Sequence, residues 1–148
     1  MTEIISKVMR KLQNEVRAVN KGEEDILTED DLTDMHYLKA VIKETLRLHP
    51  PLPLLFPRVL MRDLKINGYN IKANTRVIVN AWQVGRDPKS WYYLPEVFEP
   101  ERFLTANKGM NYLGNDFQFI PFGAGRRICP AIQFSSTLND IALANLVH

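Results

Sequence analysis

The stretch "FIPFGAGRRICPA" at residues 119–131 decides how this chain is read. It holds the only cysteine, Cys129, crowded by Gly123, Gly125, Arg126, Arg127 and Pro130. A helical pattern follows Pro130, so the spacing predicts proline at the first helical position and Cys129 at the cap. A thiol there faces the positive end of a helix dipole, and the two arginines favour the thiolate in the same direction. Gly123 and Gly125 let the loop fold tightly and let a flat object approach its backbone. On these residues alone three readings stand: a buried structural cysteine, a reactive thiol, and a ligand to a metal or haem. No histidine is placed to partner a nucleophile, since His36 and His49 lie on an earlier helix and His148 is terminal. "GAGRRI" lacks the third glycine of a dinucleotide loop.

Composition narrows the field. The chain has 148 residues, 45% of them hydrophobic, and a formal charge of +2. It is therefore globular, and so slight a charge balance implies no nucleic acid or other polyanionic partner. A single thiol cannot form an internal disulfide or supply a multi-thiolate zinc or iron–sulfur site. No uncharged run approaches the ~18 residues of a membrane span.

Working outward from the cysteine, the chain reads as mainly α with a small β-sheet. Residues 2–19 place Ile5, Val8, Leu12, Val16 and Val19 at helical spacing, ending near residues 20–22. "TEDD" from Thr28 resembles a capping box with Asp31 in the usual glutamate position. It opens a helical region over 28–49, with Leu38, Val41, Ile42, Thr45 and Leu46 as its apolar stripe, stopped by Pro50 and Pro51. Alternation around Asn67-Gly68 predicts a hairpin or small sheet within 58–80, including a strand at 77–79. Periodicity fails over 85–128, where prolines punctuate a run of aromatics. So long an irregular segment is expected to be ordered only by packing on something larger. Helical pattern resumes over 130–148, and the chain stops inside it.

A second constellation is Glu44 and Arg47 in "KETLR", three apart and so on one helix face. Most such pairs are exposed and contribute little. Burial of this one would require a third partner to offset desolvation, and Arg102 in "PERF" is the candidate.

Together these pieces resemble the cytochrome P-450 superfamily of haem-thiolate monooxygenases. The signature Phe-x-x-Gly-x-Arg-x-Cys-x-Gly is met by Phe122, Gly125, Arg127 and Cys129, with Ala131 where glycine is usual. "KETLRLHPP" matches the family's Glu-x-x-Arg helix, and "PERF" its Pro-Glu-Arg-Phe element. "NAWQVGRDPKSW", "FEPERF" and "FIPFGAGRRICP" resemble, in that order, the plant microsomal branch. The three motifs in the right order overturn the structural reading of Cys129.

The resemblance implies the C-terminal portion of that fold, incomplete, with residues 1–148 forming part of a single domain. It implies haem as cofactor, Cys129 as the axial iron ligand, and Phe122, Gly125, Arg127 and Arg58 as its other contacts, both arginines reaching propionates. Loop N–H groups are expected to donate to the sulfur. Leu54, Leu55 and Phe56 would face an apolar substrate, and Glu44, Arg47 and Arg102 would form a structural triad. The implied reaction inserts one atom of O₂ into a small apolar molecule, with electrons from an NADPH-dependent reductase that docks where Arg126 and Arg127 sit. The parent enzyme would lie on the cytoplasmic face of the endoplasmic reticulum membrane. Its anchor and its oxygen-activating helix are expected to fall outside this chain, so no catalytic residue is assigned within it. The alternative is a truncated, non-catalytic product that binds haem weakly or only offers an interaction surface.

Overall fold

The periodicity of the first helix produces α1 (Thr2–Val19) in the computed structural model, which describes residues 2–19 and 26–148. The stop read at residues 20–22 lies outside the described residues. The apolar stripe of α1 is enclosed only toward its C-terminal end: Leu12 and Val16 are buried, whereas Ile4, Ile5 and Met9 are exposed.

Thr28 and Asp31 do meet. The Asp31 carboxylate accepts from the Thr28 N–H (2.8 Å) and hydroxyl (2.9 Å), and these bonds hold it below its ordinary carboxylate value. The element that follows is a short 3-10 helix, Asp30–Asp34, not the start of the long one. The chain turns at Met35, and α2 spans His36–Leu48. Its first free N–H groups, on Tyr37 and Leu38, each donate to the Glu15 carboxylate at 2.7 Å. A side chain of α1 thereby fills the role of a helix cap.

Leu38, Val41 and Ile42 are buried as the pattern predicts, but Thr45 is exposed and gives its hydroxyl to the Val41 carbonyl at 2.8 Å. Tyr37, Ala40, Glu44, Arg47 and Leu48 are buried as well, so α2 is enclosed on several sides. One core gathers Leu12, Val16, Leu27, Leu32, Met35, Leu38, Val41 and Ile42 with Ala144 and Val147 of the last helix. Burying each large aliphatic side chain there contributes about 1.5–3 kcal/mol.

Four short strands follow. β1 (Arg58–Val59) pairs antiparallel with β4 (Arg76–Val77), and β2 (Leu64–Ile66) with β3 (Tyr69–Ile71). Asn67 (φ 48°) and Gly68 (φ 87°) are both left-handed, as a two-residue hairpin turn requires. The strand predicted at 77–79 keeps only Val77. Beyond it the chain leads into Asn80, whose side chain accepts the Gln83 N–H (3.0 Å) and caps α3 (Ala81–Val84).

The irregular segment over 85–128 packs in part on α2 of this chain. Trp91, Phe103 and Phe119 form a second buried cluster with Ala40 of α2, their rings 5.3–6.3 Å apart. A 3-10 turn, Pro100–Phe103, lies against α2. The last helix, α4 (Ile132–Val147), starts later than predicted, with Ala131 as its cap residue. The Ala131 carbonyl accepts the Ser135 N–H (2.9 Å) and hydroxyl (2.8 Å). Pro130 therefore lies in the turn before the helix, and Cys129 is not its cap. Among the described residues, no helix is long and apolar enough to cross a membrane.

Candidate functional site

The cysteine loop is closed by its own backbone. The Cys129 N–H donates to the Phe122 carbonyl at 3.0 Å, and inside that closure Ile128 N–H donates to Gly125 O, also at 3.0 Å. Gly123 (φ 79°) and Gly125 (φ 68°) take the left-handed conformations that the turn demands. A Cβ built on Gly125 would meet nothing within 4 Å, so that side of the loop opens outward. Cys129 is half-buried. Arg126 and Arg127 are exposed beside it.

Arg58, at the start of β1, reaches the same loop, its Nη2 donating to the Ala124 carbonyl at 3.2 Å. Residues 53–56 lie just before Arg58 in the chain. Leu54 and Phe56 are exposed and Leu55 is half-buried. From behind, Gly114 presses on the loop. A Cβ there would stand 2.8 Å from Ile128 Cδ1 and 3.2 Å from Ala124 Cα.

Glu44, Arg47 and Arg102 come together in the interior, at 0%, 1% and 7% exposure. Arg47 grips the Glu44 carboxylate with two bonds, Nε to Oε2 (2.7 Å) and Nη2 to Oε1 (2.8 Å). Arg102 Nε adds a third at 3.0 Å and the Glu99 N–H a fourth at 2.8 Å. The remaining Arg47 N–H groups donate to the carbonyls of Gly85 (2.6 Å), Pro95 (2.6 Å) and Val97 (3.2 Å). Arg102 holds those of Tyr93 (3.1 Å), Leu94 and Val97 (both 3.3 Å). The pair is thus not the exposed kind. Two forked guanidiniums, bridged by one carboxylate, supply donors for an irregular backbone that has no ladder to bond to.

An aromatic relay joins this clamp to the cysteine loop. The Arg47 guanidinium lies over Trp91 at 5.0 Å; Phe119, Tyr112 and Phe122 continue the chain of rings at 6.3, 6.1 and 5.5 Å. Sequence reasoning missed several members of this assembly. Trp91 closes "NAWQVGRDPKSW" but had no packing role assigned there. Gly85 matters because a Cβ there would sit 2.3 Å from the Arg47 carbonyl oxygen, a proximity that no local pattern announces. Buried Arg86, too, had no role assigned, although it lies within "NAWQVGRDPKSW".

The comparisons with known proteins agree with one another. The family model for cytochrome P450 matches residues 6–148. Cytochrome P450 736A117 of Prunus mume is 65% identical over the whole of this chain, which spans 28% of that protein. Cytochrome P450 71A22 of Arabidopsis thaliana is 50% identical and costunolide synthase of Cichorium intybus 51%, with 30% and 29% of their lengths covered. The chain thus spans under a third of the length of the relatives it matches, and it belongs to the cytochrome P450 family.

Proposed function

We propose that this chain is the haem-ligating part of a plant-type monooxygenase, with Cys129 as the axial iron ligand. The observation that carries the reading is the loop itself: a half-buried thiol on a tied turn whose glycine side is open, with cations at its margin. The donor set fits a large planar dianionic group: one soft sulfur, backbone without side chains at Gly123 and Gly125, and two arginines for carboxylates. When bound, haem would supply one-electron and O₂ chemistry, with the thiolate donating electron density to the iron.

The chain's own residues hold that sulfur. The Phe122 carbonyl takes the Cys129 N–H, which therefore does not point at the thiolate. Pro130 has no N–H to give. Donors to the sulfur come instead from the first turn of α4, beginning at Ala131 and Ile132, where N–H groups lack intrahelical acceptors. Arg127 and Arg58 would hold the propionates. Residues 53–56 present apolar side chains toward the substrate, and the Glu44–Arg47–Arg102 clamp fixes the segment that carries the aromatic relay to Phe122. Turnover, the reductase, and placement at the endoplasmic reticulum membrane are assigned to a longer protein of the kind the relatives represent. The exposed Phe134, Leu138 and Leu146 on α4 suit packing against such a remainder.

Haem titration of the chain tests this reading. A Soret band that saturates in the unaltered chain and shifts in Cys129→Ser supports it. Identical spectra for the two remove the ligand assignment.

A further inference from the structure

Arg86 lies within "NAWQVGRDPKSW" but has been given no role above, and it is only 7% exposed. Its charge partner Glu96, bonded through Nε at 3.0 Å, is 67% exposed, so that ion pair accounts for little. The stronger attachments are to backbone and ring. Nη2 donates to the Leu48 carbonyl at the end of α2 (2.6 Å) and Nη1 to the Trp82 carbonyl (3.2 Å), and the guanidinium lies 3.9 Å from the centre of the Trp82 ring. Trp82 in turn donates its N–H to the Pro53 carbonyl at 3.0 Å. Arg86 therefore holds Leu48 directly and Pro53 through Trp82, the two ends of the Pro-Pro turn.

Immediately beyond Pro53, Leu55 has a φ of 49°, a left-handed conformation that a branched side chain resists. Its N–H closes a turn on the Leu52 carbonyl at 3.1 Å. Such strain persists only where the surroundings over-determine it, and it gathers at functional positions. The bracket from Arg86 is the over-determining element: it ties Leu48 and Pro53 on either side of the Pro-Pro turn.

We infer that Arg86 is a positioning residue for residues 53–56, keeping Leu55 left-handed so that Leu54 and Phe56 project together and set which apolar compounds fit. This rests on the reading that the loop meets substrate. Native-state hydrogen exchange on the whole chain tests the positioning apart from that reading. In Arg86→Met the Leu55 and Trp82 amides exchange about tenfold faster or more, the effect of losing one charge-assisted hydrogen bond. The Glu99 amide, bonded to Glu44, keeps its rate.

Arg86→Lys retains a donor for Leu48 but not the flat stack on Trp82. The His49 amide, bonded to Thr45 at the end of α2, quickens in Arg86→Met and keeps its usual rate in Arg86→Lys, while Leu55 and Trp82 still quicken. Should Arg86→Met not fold, Trp82→Leu removes the stack and leaves the hydrogen bonds of Arg86, and the same two amides quicken. Loop amides that stay unchanged, or that quicken only in step with Glu99, overturn the inference. Quickened loop amides in a chain with no thiolate-type haem spectrum leave the positioning standing and refute the functional reading instead.

Discussion

Glu44→Gln probes the interior clamp with almost no change of volume. Glu44 is completely buried, and its two oxygens accept four hydrogen bonds, three of them from arginine nitrogens. Glutamine keeps one acceptor oxygen but turns an NH₂ toward a guanidinium, donor against donor, and removes the negative charge between two buried cations. Arg102 keeps a longer contact with Glu99 at 3.6 Å, whereas Arg47 keeps only carbonyls. Removing one partner of a buried pair costs about 3–5 kcal/mol, against about 0–1 for an exposed one. With 0% side-chain exposure for both Glu44 and Arg47, the larger figure applies. Urea unfolding followed by tryptophan fluorescence is the assay, since Trp91 stacks on Arg47. For a slope of about 2 kcal/mol/M the midpoint falls by about 2 M. A fall of less than about 0.5 M at that slope would refute the argument, because the clamp would then behave as a surface pair.

Other outcomes follow from the same geometry. Gly85→Ala forces a methyl against the Arg47 carbonyl oxygen and lowers stability by about 1–3 kcal/mol, read by the same unfolding experiment. Phe119→Ala opens the aromatic cluster at a residue 1% exposed and costs about 3–5 kcal/mol. In Asp140 burial pushes the carboxyl up from its ordinary value, and the Lys39 charge only partly opposes this. A raised acid favours the fold while protonated and disfavours it once ionised. Asp140→Asn therefore stabilises the chain at neutral pH, and the gain disappears below about pH 4, where the unfolded carboxyl is protonated too. Unfolding midpoints at the two pH values check the sign.

How much of this was legible beforehand depended on the range of the interaction. Local rules sufficed for α1, for the Asn67-Gly68 hairpin and for the mainly helical class, because periodicity and turn chemistry act over a few residues. The Glu44–Arg47 face followed from helical spacing, and the need for a third partner from the cost of burying charge. Features that span the chain left no local trace. Glu15 caps a helix 22 residues away in sequence, Arg47 bonds carbonyls up to 50 residues distant, and Arg86 reaches back 38 residues to Leu48. The start of α4 was placed too early because proline's preference for the first helical turn was given more weight than the tie between Cys129 and Phe122. In the irregular backbone over 85–128, some carbonyls are held by Arg47 of α2 and others by Arg102 of the segment itself, ties that no local periodicity reveals.

The measurement that bears most directly on the central claim is the carbon monoxide difference spectrum of the reduced, haem-loaded chain, recorded beside Cys129→Ser. The account predicts a thiolate-type Soret band in the unaltered chain, lost in the variant while the unfolding midpoint of the haem-free chain stays unchanged. A folded, haem-loaded chain that gives the same band with serine at that position would contradict it.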